Sequence, residues 1–423
     1  MRDHPRVLVI ANECISNVSS NGRTLRNFLL GWPKEKLAQF CIRNTAPDFS
    51  LCDHYYYVSD RDALRSLVKG VRVSGKMIQA EGIQNQATKA GGRNALTMLM
   101  RNCAWNSMRW AGPSFYSWVE DFDPELILLQ AGDCAFMLNL AGKLAKKYGI
   151  PLVIYNSEAY YFKNYDYFRS TGIAKLFYPI FYRQFRRAFE RCMQAAQKTV
   201  YCCDKLKTDY DRCFNVPSDV IYTVSQMEPA NVPKNHRPLQ LSYLGNLGVG
   251  RHEGLVEIAN ALQRISPDLK LDVYGKIPNQ AVQMAFDQCN GIRHHGFVPY
   301  EKVVDIIHNS DVVVHTESFT DFYREDLKYA FSTKIADSLA SGTCFLLYAP
   351  EEMACTEYLR EHDAAWVISK KEELQTILER LCDNQRAREQ YIQSALLLAR
   401  QNHSPKENTE RFQTILRESV KER

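Results

Sequence analysis

The 423-residue sequence has no run approaching the roughly 18 consecutive apolar residues of a membrane span. An export leader is not expected either. The apolar stretch in MRDHPRVLVIANE ends after five residues in a polar loop, short of the roughly 7–15 residues of a secretory core. Cysteine spacing of the metal-binding kind is absent as well. The thirteen cysteines are scattered, and the close pair, Cys202 and Cys203, is vicinal. On that basis they are expected to be reduced thiols packed as small apolar groups, and a cytosolic chain is expected. Charge of one sign is scarce: the net charge is +5 over the whole chain, too diffuse for a dedicated nucleic-acid binder. Counts of 20 glycines and 16 prolines exclude collagenous and low-complexity chains. No internal repeat is present.

What remains is 45% hydrophobic and 24% charged, enough chain for two or three ordinary domains. Short β-rich runs alternate with amphipathic stretches, the pattern of parallel α/β layers. Strands are expected at Arg6–Ala11, Gln39–Arg43, Tyr55–Val58, Leu126–Gln130, Leu152–Asn156, Thr199–Cys202 and Val220–Val224. Helices are expected near Arg23, at Cys134–Tyr148 and at Ile173–Ala196. Pro229–Pro238 is polar, carries three prolines and reads as a linker. The βα rhythm then restarts with Leu239–Leu244, a glycine-rich turn, and a helix whose Leu255, Ile258, Leu262 and Ile265 share one face. Further strands are expected at Lys270–Tyr274, Ile292–Phe297, Asp311–His315, Cys344–Tyr348 and Ala365–Ile368. The expected organisation is an α/β domain over 1–228, a linker over 229–238, a second α/β domain over 239–400, and a terminal helical segment over 401–423 returning to the first.

In open α/β sheets, ligands bind beyond the carboxyl ends of strands, where helix N-termini offer free N–H groups to anions. The first such turn, NECISNVSSNGRT, has one glycine, Gly22, and is not GxGxxG. Nicotinamide and flavin binding lose their main support, and no P-loop motif occurs. Gly22 reads either as a tight turn or as a substrate loop. In YLGNLGVGRHEGL, Gly245, Gly248 and Gly250 precede a helix that starts with Arg251. A cation there opposes the helix dipole by about 0.3–1 kcal/mol unless an anion is near. In AFSTKIADSLASGT, Ser332 or Thr333 caps a helix, with Lys334 in its first turn and Asp337 one turn on. Hydroxyls, a lysine and free N–H groups suit a diphosphate; the carboxylate suits sugar hydroxyls.

These stretches carry a resemblance. YLGNLG…R (243–251), VYG (273–275), HHGFVPYEKVVDIIHNSDVVV (294–314) and FSTKIADSLASGTCFLLYAP (331–350) resemble the donor domain of GT-B glycosyltransferases, nearest to family 4. SNGRTLRNFLLGWP (20–33) resembles the acceptor-side glycine loop of capsule and exopolysaccharide transferases. The last donor stretch is similar to the family's E-x7-E region, with Asp337 for the second glutamate. Tyr329 stands at the first glutamate's spacing, so Glu317 or Glu325 is the expected substitute. Asn246 occupies the usual arginine slot, leaving Arg251 and Lys334 as the cations. The resemblance implies two Rossmann-like parallel-sheet domains facing a cleft. A nucleotide-sugar donor would lie there, its base near Phe297–Val298, its ribose on Asp337, and its diphosphate on Arg251, Lys334 and the Ser332/Thr333 helix end. Gly22, Gly245, Asn246 and Gly275 complete the expected donor set. No catalytic base is assigned; Asp133, Glu158 and Glu317 are the candidate carboxylates.

Three D-x-D triplets, Asp60/Asp62, Asp121/Asp123 and Asp209/Asp211, read as solvated acids, and neither a metal nor a cofactor is expected. In LFYPIFYRQFRRAFERCMQ, Phe181, Phe185 and Phe189 alternate with Arg183, Arg187 and Arg191. Trp105 and Trp110 repeat the mixture. Both segments read as core stripes with charged outer faces or as surfaces for an anionic membrane. The expected function is a retaining, metal-independent glycosyltransferase acting on a saccharide or lipid-linked acceptor in surface polysaccharide synthesis, cytoplasmic or peripheral on the inner membrane face. The rivals are a sugar-nucleotide epimerase of the same fold and a non-catalytic scaffold.

Overall fold

The computed structural model describes residues 4–43, 46–68, 75–78, 92–230 and 234–421. The chain forms two compact units, one of Met1–Ile221 with Lys406–Arg423, the other of Tyr222–Pro405.

The first unit is built on eight strands: β1 (Val7–Glu13), β2 (Leu37–Arg43), β3 (His54–Tyr57), β4 (Lys76–Ile78), β5 (Leu126–Ala131), β6 (Leu152–Asn156), β7 (Lys198–Tyr201) and β8 (Ser218–Val220). Their order is β4-β3-β2-β1-β5-β6-β7-β8. Every pair is parallel except β3/β4. β5 reads LILLQA and is buried at every position, as a central strand covered on both faces must be. The order reverses between β1 and β5, the switch point beyond which ligands bind in such sheets. β4 was not expected: it is three residues long, largely exposed and on the edge, with no periodicity to betray it. The helix Pro405–Lys421 packs on this unit. Phe412 stacks on Phe28 at 4.3 Å, and Gln413 donates to the Leu30 carbonyl at 2.9 Å.

The second unit has six parallel strands: β9 (Leu241–Leu244), β10 (Leu271–Tyr274), β11 (Ile292–Gly296), β12 (Val312–Thr316), β13 (Cys344–Tyr348) and β14 (Trp366–Ile368). Their order is β11-β10-β9-β12-β13-β14, with the switch point between β9 and β12. Leu255, Ile258 and Leu262 of the helix Arg251–Ile265 are buried in one core with Leu241, Val312 and Leu346, and Ile265 packs at its margin.

The chain passes between the units at Ile221–Tyr222, not within the expected linker Pro229–Pro238. Residues 231–233 lie outside the described residues; the remainder of that segment belongs to the second unit because bonds other than ladder pairs hold it. Ala230 N donates to the Ser341 carbonyl at 2.7 Å, and His236 N donates to Asp311 at 2.9 Å. Upstream, Tyr222 packs on Tyr358 at 4.5 Å, Phe331 at 4.9 Å and His403 at 5.4 Å. The second passage is at Pro405–Lys406, so the helical tail from 401 is divided between the units.

His403 is held as a neutral imidazole. Its Nδ1–H donates to the Thr223 carbonyl at 2.6 Å, and Nε2 accepts from the Tyr358 hydroxyl at 3.0 Å. Burial lowers its pKa from 6.5 to about 4. A base held neutral in the fold but free to charge when unfolded makes stability fall with acid. The loss runs from pH 6.5 down to about 4 and amounts to about 3 kcal/mol. Urea unfolding across this range should show that slope, and His403→Gln should flatten it.

Candidate donor site of the second unit

The turn after β9 is shaped by close backbone approaches. Gly250 caps the helix Arg251–Ile265 with φ +76°, and a side chain there would come within 2.4 Å of Ser318 Oγ. At Gly275 a Cβ would lie 2.2 Å from the Gly245 carbonyl oxygen. Gly245 N donates to the Tyr274 carbonyl at 2.8 Å, drawing the two loops together. The buried Tyr243 hydroxyl donates to the Asn246 carbonyl at 2.7 Å. Asn246 Oδ1 accepts from Gly248 N at 2.9 Å, so this asparagine shapes its own loop.

Arg251 is not a lone cation at a helix start. Its Nε and Nη2 donate to Glu317 Oε2 and Oε1 at 2.9 and 2.8 Å. Glu317 follows β12 and is 1% exposed. Its Oε1 also lies 3.0 Å from His315 Nε2. Burial alone would raise the Glu317 pKa, but His315 and the Arg251 charge hold it below the usual glutamate value. Burial lowers the His315 pKa, so the imidazole is neutral and Nε2–H is the donor, since an ionised carboxylate only accepts. Glu317 therefore offsets the dipole penalty that the sequence had suggested a phosphate would offset. The pair engages Nε and Nη2, leaves Nη1 outside it and fixes the guanidinium in direction.

Lys334 differs. It sits in the first turn of the helix Thr333–Ala340, whose cap Ser332 accepts the Lys334 backbone N–H at 3.3 Å. Its stem crosses the glycine loop: a Cβ on Gly245 would lie 2.8 Å from Lys334 Cε. Among the described residues its ammonium has no ion-pair partner. Burial, then the Arg251 charge, pull its pKa below the usual lysine value, with Glu317 and Asp337 opposing. A half-buried ammonium kept without a pair is costly unless a ligand completes it.

Asp337 is half-buried in the same helix, and its Oδ1 accepts from the Ser225 hydroxyl at 2.6 Å. Ser225 Oγ in turn accepts from Met227 N at 3.1 Å. Thr333 is exposed at the helix start. Phe297 is 78% exposed beyond β11 and Val298 is half-buried. Glu325 is exposed on the helix Asp321–Leu327 and takes no part in the Arg251 pair.

The remaining candidates lie in the first unit. Gly22 follows the cap Ser19 of the helix Ser20–Leu29, and a Cβ there would lie 2.4 Å from the Cys14 carbonyl oxygen. Asp133, just beyond β5, is buried; Arg93 pairs with it and the Tyr167 hydroxyl donates to it at 3.1 Å. Glu158 is exposed, its backbone N–H bound to Asn156 Oδ1 at 3.3 Å. The D-x-D acids are engaged by separate partners: Asp60 by Arg101 and the Trp105 indole, Asp123 by Arg6, Asp209 by Arg212 and Asp211 by Lys207. No group of three metal-ligating side chains occurs among the described residues. Phe181, Phe185, Phe189, Trp105 and Trp110 are all buried, so these aromatics belong to the core and not to a membrane face.

His315, Tyr243 and Ser225 were not among the expected site residues. His315 and Glu317 stand two apart at the end of an apolar strand, and period-two spacing puts both on one face. That signal was available. Tyr243 resembles any core tyrosine, and Ser225 lies 112 positions from its partner.

Two parallel α/β units with these strand orders define the GT-B fold. Within the chain, residues 251–415 match the family described as Glycosyl transferase-like. Comparison with curated proteins finds no match. Solved structures share the whole architecture. HepE from Anabaena, in complex with UDP and glucose, has a TM-score of 0.59 and 12% identity, covering 98% of this chain and 99% of its own. Sucrose-phosphate synthase from Thermosynechococcus elongatus has a TM-score of 0.61 and 10% identity over 97% and 98%. A glycosyltransferase from Rickettsia africae has 0.56 and 12% over 99% and 100%.

Proposed function

We propose that this chain is a retaining glycosyltransferase that moves a hexosyl group from a nucleotide-diphosphate sugar to a saccharide or lipid-linked acceptor. Surface polysaccharide synthesis at the membrane's inner face is the role it fits. The observation that carries the reading is Lys334, an unpaired half-buried ammonium at a helix N-terminus, beside a guanidinium fixed by Glu317. Positive charge so placed stabilises a departing diphosphate without reorganising, the role a divalent ion fills in metal-dependent enzymes. The anion would receive the Thr333 helix end and Lys334 directly, and Arg251 through Nη1. HepE, solved with UDP, with UDP-glucose, and with UDP and glucose, supports a nucleotide-sugar donor. The oxocarbenium-like transition state of glycosyl transfer needs this leaving-group assistance most.

Asp337 is assigned to the ribose, with Ser225 orienting its carboxylate. Asp337→Asn should weaken UDP about five- to tenfold, the range of one charge-assisted hydrogen bond. The loss should shrink for 2′-deoxy-UDP in parallel calorimetry; equal losses for both nucleotides count against the ribose contact.

The reading is tested by a thermal-shift screen against UDP, GDP and their sugars, followed by assay of nucleoside diphosphate release. Acceptor-dependent release is expected. Altered donor sugar formed without an acceptor would indicate the epimerase, and nucleotide binding that never yields diphosphate would indicate the scaffold.

A further inference from the structure

The membrane reading gains a different surface once the aromatic stripe is seen to be buried. The 3-10 turn Gly172–Phe177 runs directly into the helix Tyr178–Ala195. Ile173 and Leu176 lie one 3-10 turn apart, and Ile180, Arg183, Arg187 and Arg191 continue at intervals of three or four, so the six form one face. The opposite face buries Phe181, Phe185 and Phe189. Ile173 is 71% exposed, Leu176 73% and Ile180 54%. Single exposed aliphatics need no explanation, but three large ones within eight residues do.

The charge beside them has one sign. Six basic residues stand between Arg169 and Arg191 inclusive, against the single acid Glu190, a local excess as large as the +5 of the whole chain. Glu190 is itself occupied by Arg186 and by the Tyr161 hydroxyl. Lys175, Arg183 and Arg187 are exposed, with no carboxylate paired to them among the described residues. The neighbouring helix Ala95–Asn106, which packs on this segment, adds Met100 at 59% exposure.

We propose that this outer face, aliphatic at its start and arginine-lined beyond, docks the first unit on an anionic lipid bilayer. Ile173, Leu176 and Ile180 enter the acyl boundary while Lys175, Arg183 and Arg187 meet lipid phosphates. Long arginine stems lie along the apolar boundary and keep their heads at the phosphate level. The proposal rests on the lipid-linked side of the functional reading and not on the donor site.

The test is co-sedimentation of the full chain with phosphatidylcholine vesicles, alone or with about 30% phosphatidylglycerol. The wild type should bind the anionic vesicles at least about tenfold more tightly, and added salt should weaken that binding. The triple variant Ile173→Ser, Leu176→Ser, Ile180→Ser should lose about tenfold or more on anionic vesicles. Arg183→Glu with Arg187→Glu should remove the preference for anionic lipid altogether. All five positions are exposed, so both variants should melt with the wild type and bind UDP as it does. Failure of the wild type to bind either vesicle, as for a surface that meets another protein, overturns the proposal, and so do variants that bind as the wild type does. UDP affinity is read in the same preparation, so a failed donor site and a failed lipid surface are told apart.

Discussion

Glu317→Ala is expected to destabilise the second unit by about 3–5 kcal/mol, the cost of removing one partner from a buried ion pair. The carboxylate is 1% exposed and receives two hydrogen bonds from Arg251 and one from His315. Its loss strands a guanidinium that is itself largely out of water. Glu317→Gln keeps the volume and one acceptor and should cost less, because the amide cannot neutralise Arg251. Urea unfolding of both variants checks the order. The native pair also has a pH signature. A carboxylate held below its ordinary 4.5 contributes stability that is present above that pH and lost as pH falls through the lowered value. A loss under about 1 kcal/mol for Glu317→Ala would mean that the pair is no stronger than a surface bridge.

Lys334→Met is expected to act in the opposite direction on stability and strongly on binding. The folded-state pKa is lowered because burial and Arg251 both disfavour the ammonium. The fold therefore gives up stability to keep the charge at neutral pH, and methionine relieves that cost. Melting should stay level or rise slightly. Nucleoside diphosphate affinity should fall roughly ten- to a hundredfold, the range of one or two charge-assisted hydrogen bonds to phosphate. Methionine preserves the stem over Gly245, so the change isolates the ammonium. Lost binding together with unchanged or greater stability is the behaviour of a residue placed for a ligand and not for the fold.

Most strands of the second unit could be read because they are short apolar runs bounded by turn residues, whereas β11, IRHHG, is polar and largely exposed. Val312–Thr316 and Cys344–Tyr348 are buried throughout and leave no alternative assignment. The turn glycines were legible for a related reason, since Gly250 requires positive φ and Gly275 meets a carbonyl that no Cβ could share. What stayed hidden depends on pairing across the sequence. Arg251 and Glu317 stand 66 positions apart, and only the fold shows that they cancel. Helical periodicity put Phe181, Phe185 and Phe189 on one face, but a core stripe and a lipid-facing stripe have the same period. Burial decided between them, and the exposed aliphatics of the preceding 3-10 turn were overlooked because its period is three. The edge strand Lys76–Ile78 had too few residues to show any period.

The central claim is that Lys334 completes a diphosphate site, and calorimetry with matched ligands tests it most directly. UDP and uridine would be titrated into the wild type and into Lys334→Met. The account predicts that the variant loses at least about tenfold in UDP affinity while uridine affinity is unchanged. Equal losses for UDP and uridine, or no loss for either, would contradict it.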